Sequence, residues 1–179
     1  LQNRDGGMPT FCRGWGHLPF DRSSADITAH TIRAWHLWKP YVTPPLQRSI
    51  QVATRRALDY LKRIQKEDGS WDPLWFGNQH LEGENNPLYG TAKVVEGWLC
   101  LASEPTEEPG LSHAIHWLID QQSDNGGWGA TKGLPNTIEE TALAVSALAL
   151  AASRWPGEGH PQGLRLHQSL RKGAGWLCQ

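Results

Sequence analysis

Few residues in this sequence are spaced for chemistry of their own. His113 and His116 lie one helical turn apart and offer two imidazoles to a metal, but neither an Asp-x-Cys nor a Cys-x-x-Cys supplies further ligands. Cys12, Cys100 and Cys178 are scattered and read as buried thiols in a reducing compartment rather than a disulfide framework. No metal or cofactor site is therefore expected. Isolated carboxylates such as Asp21 and Asp26 are the nearest to a general acid, yet Asp26 sits where a helix should begin, and capping accounts for it. Thr91, Glu140 and Thr141 stand at helix starts too, where capping and a cavity position fit equally well. The remaining oddity is aromatic: 10 Trp against 3 Phe and 3 Tyr.

Those tryptophans belong to a repeat. Arg56-Ala-Leu-Asp-Tyr-Leu-Lys-Arg-Ile-Gln65-Lys-Glu-Asp-Gly-Ser-Trp71 aligns without gaps on His113-Ala-Ile-His-Trp-Leu-Ile-Asp-Gln-Gln122-Ser-Asp-Asn-Gly-Gly-Trp128. A further copy, Gln2 to Met8, carries Met in place of Trp, and another begins at Arg171 to Leu177. Apolar residues at helical spacing precede each Gln, and Asp-Gly or Asn-Gly after it demands a tight turn. A second, less charged helix should follow each turn, at about 26–38, 89–102 and 138–152, the last opened by a Thr137-Ile-Glu-Glu140 capping box and the first by Ser23 or Ser24. Alternating charged and apolar helices predict an all-α, two-layer array with the apolar helices inside. The expected organisation is one domain of about three helix pairs, 1–65, 66–122 and 123–179, cut at both ends. The longest apolar stretch, Thr141 to Ser153, is shorter than the ~20 residues that cross a bilayer. A net charge of −1 without basic runs gives no footprint for nucleic acid.

Tyr60-Leu61 with Gln65 and Gly69-Ser70-Trp71, and Trp117-Leu118 with Gln122 and Gly126-Gly127-Trp128, resemble the QW motif of the triterpene cyclases. Leu18-Pro19-Phe20, Asp26 to His30, Trp75-Phe76-Gly77 and Tyr89-Gly90-Thr91 are similar to stretches of squalene-hopene cyclases in the same order. This resemblance implies a partial α6/α6 barrel, an α/α toroid, in which Gln65, Trp71, Gln122 and Trp128 are structural. It implies acid-initiated cyclisation of an isoprenoid such as squalene, with Phe20, Trp75, Phe76 and Tyr89 as substrate-facing aromatics. Core packing remains the other reading of the last three.

The family's proton donor lies in an Asp-x-Asp-Asp run absent from this sequence, so the chain alone is expected to be inactive. The resemblance makes His17 the residue that polarises that acid. It also implies peripheral contact with the cytoplasmic side of the membrane, and association through cut barrel faces is expected. Two other readings stand beside it: a non-catalytic lipid- or partner-binding relative, and a relative of the protein prenyltransferase β-subunits.

Overall fold

In the computed structural model, residues 2–10, 22–102, 104–155 and 161–179 are described. Six α-helices appear among them: α1 Ala25–Trp38, α2 Pro44–Ile64, α3 Pro87–Leu99, α4 Pro109–Asp120, α5 Ile138–Ala152 and α6 Pro161–Leu177. A short antiparallel ladder pairs β1, Met8–Pro9, with β2, Ser23–Ser24. Helix α3 packs between α1 and α5, forming an inner layer, and α2, α4 and α6 lie against α1, α3 and α5 on the outside.

Composition explains the layering. Helix α3 buries nearly every residue from Pro87 to Leu99, as a helix covered on several sides must. Helix α2 instead buries only Ile50, Ala57, Tyr60 and Leu61 and leaves its charges in water. Gly97 lets α1 and α3 approach closely, since a Cβ there would lie 2.7 Å from the Ala29 carbonyl oxygen. A single carboxylate then joins all three inner helices. Buried Glu96 on α3 receives Arg33 of α1 at 2.8 Å and Ser146 Oγ of α5 at 2.8 Å, with Lys93 at 3.6 Å.

The repeated turns join the layers through one pattern of bonds. In each, the Gln amide donates to a carbonyl four residues on and to a carbonyl of the next outer helix. Gln2 Nε2 reaches Gly6 O at 2.7 Å and Ala53 O of α2 at 2.9 Å. Gln65 reaches Gly69 O and Gly110 O of α4, both at 2.8 Å. Gln122 reaches Gly126 O at 2.8 Å and Ser169 O of α6 at 2.9 Å, and Ser169 Oγ donates back to its Oε1 at 2.9 Å. The helical targets are carbonyls within the helices: Gly110 lies in the first turn of α4, and Ala53 and Ser169 lie mid-helix. Such carbonyls serve an intrahelical bond with one lone pair and have a second to give.

Backbone N–H groups complete the join. Those of Met8, Trp71 and Trp128 donate to the hydroxyls of Thr28, Thr91 and Thr141 at 2.8, 3.0 and 3.0 Å, so each inner helix offers a threonine to its own turn. The indoles of Trp71 and Trp128 donate back to Leu61 O and Leu118 O at 2.9 and 2.8 Å. Met8 lacks that donor but is buried in the same place, so the first turn follows the same course. Gly6, Gly69 and Gly126 have φ of 95°, 93° and 97°, the left-handed region that favours glycine.

Losing all three bonds of the Gln122 amide should be measurable. Gln122→Ala is expected to lower unfolding free energy by about 1–3 kcal/mol in urea denaturation, whereas Gln51→Ala, at an exposed position of α2, should change it by less than about 0.5 kcal/mol.

Candidate functional site

The chain entering α3 gathers the aromatic residues. Asn86 caps that helix, its Oδ1 accepting the Tyr89 N–H at 3.0 Å, and Pro87 occupies the first turn where its missing N–H costs nothing. This brings Tyr89 to the helix start, where its ring stacks on Phe76 with centroids 4.3 Å apart and planes 20° apart. Tyr89 is 9% exposed, but Phe76 is 48% and Trp75 46% exposed, so the pair presents an open face. Trp75 Nε1 donates to Thr10 Oγ1 at 2.6 Å. A shallow pocket of about 220 Å³ lies beside these rings, lined by Pro73 to Gly77 and by Gly83 to Asn85.

Carboxylates stand at the starts of the inner helices around the rings. Buried Asp26 of α1 accepts the Ser24 hydroxyl, which in turn accepts the Leu74 N–H at 3.3 Å and so holds the strand of chain carrying Trp75 and Phe76. Ser24 is the residue before α1, but its hydroxyl makes no bond to the helix's first N–H groups. At α5 the expected capping box forms only by half. Thr137 Oγ1 accepts the Glu140 N–H at 3.1 Å, yet the Glu140 side chain turns away and accepts Asn78 Nδ2 at 2.9 Å and Asn86 Nδ2 at 3.1 Å, both through Oε1. Its Oε2 is buried without a hydrogen-bond partner among the described residues.

Burial pushes the Tyr89 phenol up to about 12, and the charges of Asp26, Glu139 and Glu96 push the same way. Burial lowers His30, with the Lys93 charge adding to the effect and Asp26 opposing it. Tyr89 therefore stays a neutral phenol throughout the physiological range. The site offers the half-exposed Phe76 ring backed by Tyr89, whose ring also has Lys93 Nζ 5.9 Å from its centroid, one half-exposed indole, and buried carboxylates with one oxygen each engaged by hydroxyl or amide donors.

Of the residues expected at a site, the structure brings Phe76 and Tyr89 into direct contact and places Trp75 beside the same pocket. His17 and Phe20 lie outside the described residues. Gln65, Trp71, Gln122 and Trp128 are held in the turns by the bonds described above. Asn78 and Asn86 were not foreseen, and Glu140, left open between a cap and a cavity position, gives its carboxylate to those two amides. The signal was available only as a polar connection, 78–88, between two aromatic landmarks.

Comparison with known proteins places residues 15–177 on the model of the squalene-hopene cyclase C-terminal domain. Enfumafungin synthase of Hormonema carpetanum is 26% identical over 195 residues, covering 99% of this chain and 14% of that protein. Terpentedienyl-diphosphate synthase of Kitasatospora griseola is 42% identical over 98 residues, covering 53% of this chain and 17% of that protein. The chain thus spans a minor part of each relative's length. The solved structure of MstE, a type II terpene cyclase from Scytonema in its apo form, superposes with a TM-score of 0.64 at 18% identity, over 98% of this chain and 45% of that one. The shared fold is the helical toroid of these cyclases.

The raised tyrosines set an alkaline limit on stability. Tyr60 is also pushed up to about 12, chiefly by burial and then by the Asp5 charge. A phenol whose folded value exceeds the ordinary 10.0 stabilises the fold fully below pH 10. That contribution falls as pH rises from about 10 to 12. Urea unfolding should show stability falling across this window, by less in Tyr60→Phe and in Tyr89→Phe than in the parent.

Proposed function

Because the chain belongs to the squalene-hopene cyclase C-terminal domain family, we propose that it supplies part of the cavity wall of an enzyme that cyclises an isoprenoid such as squalene by protonating it. The observation that carries this reading is the Phe76–Tyr89 stack, with Phe76 half open beside the pocket. In such a reaction an acid delivers a proton to a terminal alkene, a C–H bond forms from the π pair, and the cation moves along the chain as each new C–C bond closes. The protonating carboxyl would come from residues outside this sequence, polarised by His17, with Phe20 adding to the wall. The isolated chain would then be inactive.

What Phe76, Tyr89 and Trp75 contribute is electrostatic. A cation over an aromatic face gains ~0.5–2 kcal/mol, more when desolvated, so a ring favours the cation that forms nearest it. Tyr89 suits this role because its phenol remains protonated. A phenolate would quench the cation as a base or trap it as a nucleophile. Water exclusion serves the same end.

A polyene such as squalene resides in lipid, so the whole protein would contact the cytoplasmic face of a membrane peripherally. Among the described residues no helix is long and apolar enough to cross one. A second reading replaces squalene with a prenyl diphosphate, and the likeness to terpentedienyl-diphosphate synthase supports it.

The test is to offer squalene and a C20 prenyl diphosphate separately to the complete protein and resolve extracted products by gas chromatography and mass spectrometry. Cyclised triterpene is the expected outcome, and Phe76→Ala should divert about half or more of it to early-deprotonated products. Product from the diphosphate alone would establish the second reading. No cyclised product from either would overturn the cyclase proposal.

A further inference from the structure

The connection between Phe76 and α3 folds on itself. Asn78 N donates to Glu84 O at 3.1 Å, Leu81 N to Asn78 O at 3.1 Å, Glu84 N to Leu81 O at 2.9 Å and His80 N to Asn78 Oδ1 at 2.9 Å. Its neck is narrow, since a Cβ on Gly77 would lie 2.2 Å from Glu84 O. The two residues bounding this loop, Asn78 and Asn86, both donate their amides to the same oxygen, Oε1 of Glu140 on the first turn of α5. Phe76 stands two residues before one anchor, and Tyr89 three residues after the other.

Glu140 was therefore diverted from the cap that its position in α5 would serve. Its oxygen draws the two ends of a loop together, so the spacing of the Phe76–Tyr89 pair depends on a helix to which neither ring belongs. The carboxylate is 3% exposed, and its second oxygen has no donor among the described residues. A buried acceptor left unpaired lowers stability, so the arrangement is not the one that stability alone would select.

We propose that Glu140 is a positioning residue that determines product specificity, holding Phe76 and Tyr89 in register through Asn78 and Asn86. The proposal rests on the cyclase reading above for its product readout, and on the loop's own geometry for its structural one. Removing the acceptor frees both loop ends, separates the rings and shifts the place where cation is best stabilised. A neutral amide at residue 140 still presents a carbonyl oxygen to both asparagines, so Glu140→Gln preserves the anchor.

The complete protein is compared with its Glu140→Ala, Glu140→Gln and Asn78→Ala variants by amide hydrogen exchange and by product analysis. Glu140→Ala and Asn78→Ala should speed exchange in 78–84 by about tenfold or more while α5 stays protected. Both should move the product ratio in the direction that Phe76→Ala moves it, and Glu140→Gln should keep the parent pattern in each measurement. Unchanged exchange in Glu140→Ala overturns the anchor. Faster exchange, or a lower melting temperature, with an unchanged product ratio overturns the specificity role, as does a Gln variant that behaves like Ala. Should the parent protein cyclise nothing, the cyclase reading fails by itself. Exchange in 78–84 then decides the anchor, which stands if exchange is faster and falls if it is unchanged.

Discussion

A side-chain amide shared between two carbonyls holds this fold together. Outer helices α2 and α4 each lead into a tight turn, and the glutamine at the junction supplies two donors to carbonyls. One N–H closes the turn, and the other crosses to the outer helix of the next unit. Because the bridged carbonyls already accept helical bonds, nothing in the helix is sacrificed to receive the second donor. The threonine hydroxyls of the inner helices work from the other side, taking the N–H groups of Met8, Trp71 and Trp128. Inner layer, turn and outer layer are thereby fixed at three points in every unit.

Much of this could be read from the chain. Gln-to-Trp spacing, the obligatory glycine and the contrast between charged and apolar helices lead to the α/α fold, because each reflects a local rule that tertiary packing does not override. Helix α2 begins earlier than its repeat suggests, at Pro44, because that helix extends beyond the segment shared with α4. The threonines were invisible as a set, since Thr28 and Thr91 follow their turns at one spacing and Thr141 at a shorter one, and each also satisfied the pattern of an ordinary helix start.

The site was legible as a pair of rings and illegible as a network. Phe76 and Tyr89 could be picked out because they match stretches where the resemblance to squalene-hopene cyclases implies substrate-facing rings. For Glu140 capping and a cavity position stayed equally open, because a glutamate three residues after a threonine is the very pattern of a capping box, and Asn78 and Asn86 across the gap receive its carboxylate instead. Asp26 likewise marks a helix start in the sequence but in the fold orients the Ser24 hydroxyl toward another segment. In both cases a local reading fell short where a long connection returned to a helix distant in sequence.

The direction of the glutamine bridges carries an evolutionary consequence. Gln2 reaches α2, Gln65 reaches α4 and Gln122 reaches α6, always one outer helix forward. Every unit thus exports a donor to its successor, whose helix receives it on a backbone carbonyl, with Gly110 leaving room for Gln65 in α4 and Ser169 Oγ donating back to Gln122 in α6. Tandem duplication of such a unit creates a joint whose shared acceptor is backbone, and copies can afterwards diverge widely while keeping the amide, the glycine, the inner-helix threonine and the indole or its apolar substitute.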